Sequence, residues 1–218
     1  MRGLLVKDYR LTVKNKKLFF VFGCIGFLML FTGDNPSFLA SYISIVSAMM
    51  VLTTITYDEF DRSIAYLLTM PANRRIYVRE KYLFGIICTF IGWVTSSLVV
   101  ILYQVVVKTN YPWNEILLPL LIFLYLALMM LLLMVPVQIK FGGDNGKVVI
   151  LAFVILIIVL SAVFGKAVSY FHIDLRLVLD TPVFSNKYLF GSLVALVHLF
   201  LIAVSYRSSM KIMEKKEF

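Results

Sequence analysis

The chain has 218 residues, of which 61% are hydrophobic and 15% are charged. A typical soluble domain is about 45–50% apolar and about 25% charged, so this composition excludes a soluble globular protein and indicates an integral membrane protein. The formal net charge of +9 is interpreted as cytoplasmic loops that fix the orientation in the membrane, and not as nucleic-acid binding.

The N-terminal part of the chain combines basic side chains with leucines at a regular interval. Leu4, Leu11 and Leu18 recur every seven positions, and lysines and arginines occupy much of the remainder. A helix with this pattern has an apolar face and a basic face that suits an anionic inner leaflet. Residues 1–17 are therefore predicted to form an amphipathic interfacial helix. The alternative is a basic retention signal with no defined shape.

Six apolar segments follow, each close to the roughly 17–25 residues that a helix needs to cross a bilayer core of about 30 Å. They are Leu18–Thr32, Phe38–Thr56, Tyr82–Val107, Ile116–Ile139, Val148–Gly165 and Tyr188–Tyr206. The connections are short, and no internal repeat or soluble domain separates them. The chain is therefore predicted to be one all-α transmembrane domain, residues 1–218, with six transmembrane helices.

The basic residues fall unevenly on the two sides of these spans. Seventeen of the 21 lysines and arginines lie on the side that holds both termini. Because cytoplasmic loops are enriched in these residues, both termini are predicted to be cytoplasmic. The connection 57–81 then lies in the cytoplasm as well.

That connection is the longest of the predicted cytoplasmic connections, and it is charged and amphipathic. Acidic residues gather at its start, where the helix dipole favours anions, apolar residues follow at helical spacing, and Pro71 ends the run. Periodicity alone allows either a helix that lies in the membrane interface or a helix that binds a soluble partner. An anionic leaflet would repel the acidic group, whereas a basic groove would attract it, which favours a partner. The predicted contact residues are Asp58, Glu59, Phe60, Asp61, Arg62, Ile64, Leu67 and Met70. A second helical stretch is predicted over Arg74–Lys81.

Two motifs resemble those of a known family. The run Leu67–Arg75, continued by Tyr77–Leu83, is similar to the signature LPxxRxxxVxxKYL, and Val135–Lys147 is similar to P…KFG…KGR. Both are typical of type-2 ABC transporter permeases of Gram-positive bacteria. The chain resembles in particular the small permeases that export phenol-soluble modulins and those of lantibiotic or bacitracin self-protection. It departs from the usual pattern at Met70 and Lys147.

The resemblance implies a permease subunit in a bacterial plasma membrane, in which the connection 57–81 contains a coupling helix seated on a separate ABC ATPase. ATP and Mg would bind to that ATPase, and no cofactor or metal is expected on this chain. The working unit would contain two ATPase chains and two permease chains, with a homodimer expected first. The expected cargo is an amphipathic peptide or another hydrophobic molecule, and the expected direction is export.

Few polar side chains lie within the predicted spans. His198 is an ionisable residue at membrane depth, and an ionisable residue in that position suggests a functional site. Together with Thr53 and Ser97, it is a candidate to line a substrate path. The alternative is that these residues hold helices together, because hydroxyl groups in lipid also bond to their own backbone.

No catalytic constellation is evident, since the sequence offers no nucleophile with a base, no paired carboxylates within a span and no metal-ligand cluster. The chain is therefore not predicted to be an enzyme. The alternative transport class is a secondary transporter or channel without an ATPase. Such a protein would carry buried charges or a broken-helix ion site near the midplane, and the sequence nearly lacks both.

Overall fold

The computed structural model describes residues 2–14, 16–32, 36–60, 74–107, 112–142, 151, 155 and 187–216. These ranges contain helices and no strand, which confirms the all-α prediction. The helices are α1 (Arg2–Lys14), α2 (Lys16–Thr32), α3 (Ser37–Phe60), α4 (Arg74–Val107), α5 (Trp113–Phe141) and α6 (Lys187–Lys215).

Within the described ranges, four helices are long and apolar enough to cross a bilayer. They are α3, α4, α5 and α6, and the candidate spans within them are Ser37–Glu59, Arg74–Val107, Ile116–Phe141 and Ala195–Lys215. Helix α2 is apolar but has 17 residues, a length of about 26 Å at 1.5 Å per residue. The predicted fifth span, Val148–Gly165, lies outside the described residues except for positions 151 and 155, which are helical. The count of six spans therefore stays a prediction.

The connection 57–81 divides into three parts. Residues 57–60 continue α3, and the predicted stretch Arg74–Lys81 is helical as the first part of α4. Of the predicted coupling segment 57–81, residues 61–73 lie outside the described residues. We use the name "coupling connection" below for residues 61–73, which join α3 to α4.

Helix α3 lies at the centre of the packing. It packs most extensively against α4 and α5, and α5 also packs against α6. The main core contains Val51, Ile55, Val78 and Val135, each at most 1% exposed. Helices α3 and α4 come especially close at Gly92, where a Cβ atom would overlap with the Ser47 side chain. Small residues at such crossings are typical of helices that pack in a membrane.

Helix α1 packs against α3 and α4. Leu4 is 7% exposed and the basic residues Arg10 and Lys14 are exposed, as an amphipathic helix requires, although the apolar side chains of Val6 and Tyr9 are also exposed, at 50% and 64%. The buried face also carries a charged residue, Asp8, which is 0% exposed. Burial of a carboxylate requires a partner within the protein, and that partner belongs to α4.

Candidate functional site

A buried ion cluster joins α1 to the adjacent ends of α3 and α4. Its centre is the ammonium group of Lys81, which donates a hydrogen bond to Asp8 Oδ2. The same Nζ atom lies 2.8 Å from Asp58 Oδ2 and donates to Thr54 Oγ1 at 3.1 Å. The side chains of Lys81 and Asp8 are fully buried. Pairing of this kind is what allows charged groups to remain in a low-dielectric interior.

Two further residues complete the contacts of Asp58. Lys7 on α1 binds Asp58 Oδ1 and lies 3.4 Å from Asp8 Oδ1. The Tyr77 hydroxyl donates to Asp58 Oδ2 at 3.2 Å, and its ring centroid lies 5.1 Å from Lys81 Nζ. Helix α1 is therefore attached through Lys7 and Asp8 to the residues that precede and follow the coupling connection.

Glu80 adds a third carboxyl group beside two ammonium groups. It is 0% exposed, and its Oε2 lies 3.9 Å from Lys81 Nζ. Neither of its oxygens, nor Asp8 Oδ1, accepts a hydrogen bond from any residue that the structure describes. If Glu80 carries a proton, the cluster contains two positive and two negative charges. A buried cluster with balanced charge is far less costly than one with an excess charge.

A second set of contacts attaches the same region to the end of α6. Lys216 binds the carboxylate of Glu59 and donates to the Ile139 carbonyl at 2.9 Å. Gly142 ends α5 beside Glu59, with φ at +73°. That conformation favours glycine, and the carboxylate of Glu59 would also overlap with any added Cβ.

Arg74, the first residue of α4, reaches the same end of α6. Its guanidinium group donates to the Met213 carbonyl at 3.2 Å and to the Glu214 carbonyl. Carbonyl groups in the last turn of a helix have no partner within that helix. Arg74 thus caps α6 from the start of α4.

These contacts bracket the coupling connection on both sides. Asp58 and Glu59 hold the residues before it, and Arg74, Tyr77 and Lys81 hold the residues after it. Through these side chains the two ends are attached to α1, α5 and α6 as well as to each other. Several helices are therefore joined to one another where α3 ends and α4 begins.

The structure describes two side chains of the predicted acidic group, Asp58 and Glu59, and both have partners within the chain. Asp58 does not lie on the free surface of the connection, because its side chain is 3% exposed and is held by Lys7, Lys81 and Tyr77. The Glu59 carboxylate is 16% exposed and is paired with Lys216. Phe60 ends α3. The remaining predicted contacts lie outside the described residues: Asp61, Arg62, Ile64, Leu67 and Met70.

Sequence reasoning assigned no role to Lys7, Asp8 and Lys81 in the cluster. One signal was present, because Asp8 is an acidic residue among the basic side chains of the predicted interfacial helix. An anionic leaflet disfavours such a residue, so it called for a partner inside the protein. Its partner, Lys81, is separated from it by 73 positions.

The three candidate path residues lie on different helices. Thr53 on α3 donates to the Met50 carbonyl of its own helix at 2.7 Å, as the packing interpretation expects. Ser97 on α4 is 8% exposed, and its hydroxyl has no hydrogen-bond partner in the described part of the chain. On α6, the ring centroid of His198 lies 5.2 Å from that of Tyr125. His198 Nδ1 is buried and likewise finds no partner among the described residues.

No group of three or more His, Cys, Asp or Glu side chains suited to a metal ion occurs among the residues that the structure describes. The comparison with protein families matches residues 3–214 to the family described as ABC-2 family transporter protein. The comparisons with curated proteins and with solved structures found no match.

Proposed function

The chain belongs to the ABC-2 family of transporter proteins, and we propose that it couples a separate ABC ATPase to the export of an amphipathic or hydrophobic cargo. Membership of this family makes the chain a membrane permease subunit of an ABC transporter and implies an ABC ATPase partner. The export direction, the class of cargo and the way in which the two subunits are coupled are our proposals.

The observation that carries the proposal is the attachment of both ends of the coupling connection. A segment that transmits a movement of the ATPase must be held firmly to the helices that it moves. Here Asp58 and Lys81 join α3, α4 and α1, while Glu59 and Arg74 join α3 and α4 to the end of α6. Of these four side chains, Asp58 and Lys81 are also buried, at 3% and 0% exposure.

We propose that the ATPase binds the coupling connection together with the adjoining end of α3. The proposed contact residues are Glu59, Phe60, Asp61, Arg62, Ile64, Leu67 and Met70. Asp58 has a different role in this proposal, since it anchors the connection from inside. ATP-driven closure of the ATPase pair would favour one arrangement of the spans, because the two arrangements make different contacts with it.

The proposed working unit contains two copies of this chain in a bacterial plasma membrane, with both termini cytoplasmic. Thr53, Ser97 and His198 are proposed to line the path. Support comes from Ser97 Oγ and His198 Nδ1, which are buried polar atoms without a hydrogen-bond partner among the described residues. The described ion cluster lies at the ends of α3 and α4 that adjoin the coupling connection. It does not have the midplane position expected of a secondary transporter.

The test is co-purification of a tagged permease with its ATPase. The variant Phe60→Ala combined with Ile64→Ala and Leu67→Ala removes three apolar side chains from the proposed contact. Truncation of a buried anchor at an interface commonly costs about 2 kcal/mol or more, so we expect at least a roughly thirtyfold loss of affinity. The amount of permease in the membrane should not change.

The control removes three exposed apolar side chains from α4: Phe90→Ala, Leu98→Ala and Leu102→Ala. These side chains are 53%, 56% and 61% exposed and lie within the predicted third span. We expect this variant to retain the ATPase. If both variants retain the ATPase equally, the proposed contact is contradicted.

A further inference from the structure

A groove of about 490 Å³ lies between α1, α3 and α4, apart from the ion cluster. Its walls include Tyr9 and Val13 from α1, Ile43 and Met50 from α3, and Phe84 and Ile91 from α4. The volume lies within the range of about 300–1,000 Å³ that is usual for small-molecule sites. The groove is therefore large enough for part of a ligand.

The walls of the groove are almost entirely apolar. Two of its threonines direct their hydroxyl groups to their own helices: Thr12 donates to the Asp8 carbonyl at 2.8 Å, and Thr95 donates to the Ile91 carbonyl at 2.9 Å. No Asp, Glu, Lys or Arg side chain is among the described residues that line it. These walls suit a hydrocarbon chain and offer little to a polar ligand.

The length and position of the groove match one leaflet of a bilayer. Along α4 it extends from Phe84 to Thr95, a distance of about 16 Å at 1.5 Å per residue. One leaflet contributes about half of a hydrocarbon core of about 30 Å. The groove begins just beyond Lys81, where the charged start of α4 gives way to apolar residues. Its occupant would therefore enter from the leaflet nearest to α1.

Basic side chains lie beside the groove on α1. Arg10 and Lys14 are exposed, and neither has an ion-pair partner among the residues that the structure describes. Arg10 is three residues from the groove residue Val13, so these two are neighbours on the helix surface, and Lys14 is the neighbour of Arg10 one turn further on. Arg10 and Lys14 also line a depression of about 350 Å³ together with Lys7. Exposed cations at this position complement an anionic headgroup.

We propose that this groove binds one acyl chain of an anionic glycerophospholipid, whose phosphate is held by Arg10 and Lys14. The hydrocarbon chain packs between α1 and the pair α3 and α4, and the headgroup stays at the surface of α1. The lipid thus adds an apolar contact on the side of α1 that the ion cluster does not reach. This inference does not depend on ATPase coupling, and its test uses the permease alone.

The test compares two photoactivatable lipids in nanodiscs that contain the purified full-length permease. Phosphatidylglycerol and phosphatidylcholine each carry a diazirine in one acyl chain, and crosslinked peptides are mapped by mass spectrometry. We expect phosphatidylglycerol to label the peptides that contain Val13 and Ile91 more strongly than phosphatidylcholine does. Ile91→Trp should reduce labelling of the Val13 peptide by both lipids, because the larger side chain fills the groove.

A charge variant separates headgroup binding from simple contact with the bilayer. Arg10→Gln with Lys14→Gln should weaken phosphatidylglycerol labelling by about fivefold for each side chain removed, with phosphatidylcholine labelling unchanged. The matched control is Arg207→Gln with Lys211→Gln, which removes two exposed basic residues from α6 and should leave both signals unchanged.

Two outcomes would overturn the proposal. In the first, phosphatidylglycerol labels the groove peptides no more than the peptide of Leu118, which is 61% exposed on α5. In the second, a bifunctional maleimide links Cys88 of two chains in a Cys24→Ser background. Because Cys88 lines the groove, such a link would show that a second copy of the chain occupies it.

Discussion

We expect Lys81→Met to cause the largest loss of stability of any single substitution considered for this protein. Methionine preserves much of the side-chain volume but removes the cation that Asp8 and Asp58 share in a fully buried site. Removal of one partner from a buried ion pair typically costs about 3–5 kcal/mol, because the other charge is left without compensation. The measurement is the thermal unfolding midpoint in detergent, together with the yield of monodisperse protein.

A second substitution keeps this prediction testable when Lys81→Met is poorly folded. In the Lys81→Met variant, Lys7 is the one remaining cation beside both Asp8 and Asp58 among the described residues. Asp8→Asn in that background removes one of the two carboxylates, so the double variant should be more stable than Lys81→Met alone. Lys211→Met is the matched control. It removes an exposed lysine of α6 and should change stability by no more than about 0.5 kcal/mol. Equal midpoints for Lys81→Met and Lys211→Met would show that the cluster does not stabilise the fold.

The second large effect concerns Asp58, whose neutralisation should destabilise the protein far more than neutralisation of Glu80 in the same cluster. Asp58→Asn removes a negative charge that Lys7, Lys81 and Tyr77 all contact. We expect a loss of about 3 kcal/mol, because the fully buried ammonium of Lys81 and the partly exposed ammonium of Lys7 then face a single carboxylate. The unfolding midpoint in detergent should fall well below that of the unmodified protein.

Glu80→Gln should have a much smaller effect, although Glu80 is equally buried. Charge balance in the cluster is reached when Glu80 carries a proton, and an amide has nearly the shape of a protonated acid. The glutamine amide can also donate to Asp8 Oδ1, which accepts no hydrogen bond from a described residue. We expect a change below about 1 kcal/mol. Equal losses for Glu80→Gln and Asp58→Asn would contradict the expectation that Glu80 is the protonated carboxyl group of the cluster.

Much of the fold could be predicted because membrane helices are specified locally. Long apolar runs predicted α3, α4, α5 and α6, and the charged stretch Arg74–Lys81 was correctly predicted to be helical. The predicted spans were shorter than the helices because α3 and α4 continue beyond the apolar runs into charged residues. In this region hydrophobicity no longer marks the helix, whereas backbone hydrogen bonding continues.

The candidate site was less predictable because it depends on contacts between distant parts of the chain. From the local sequence, the acidic residues at the end of α3 were predicted to form one exposed patch. In the structure, Asp58 faces Lys7 and Lys81, while Glu59 faces Lys216. Adjacent residues on a helix point about 100° apart, so they can serve different neighbours. A periodicity argument assigns a face but cannot say which helix covers it.

The same reasoning explains what the sequence indicated about α1. Its basic and apolar faces were evident from the leucine spacing, and the helix is present. Its attachment to α3 and α4 was not evident, because a single acidic residue in a basic helix does not identify its partner. Asp8 is buried only because Lys81 lies opposite it on α4.

The most direct test of the central claim is site-specific photocrosslinking of the permease to its ATPase in cells that express both. A photoactivatable amino acid is introduced singly at Ile64, at Leu67 and, as a control for the opposite side of the membrane, at Trp113. Our account predicts that positions 64 and 67 form a covalent adduct with the ATPase and that position 113 forms none. Adducts from position 113, or none from positions 64 and 67 in a complex that remains assembled, would contradict it.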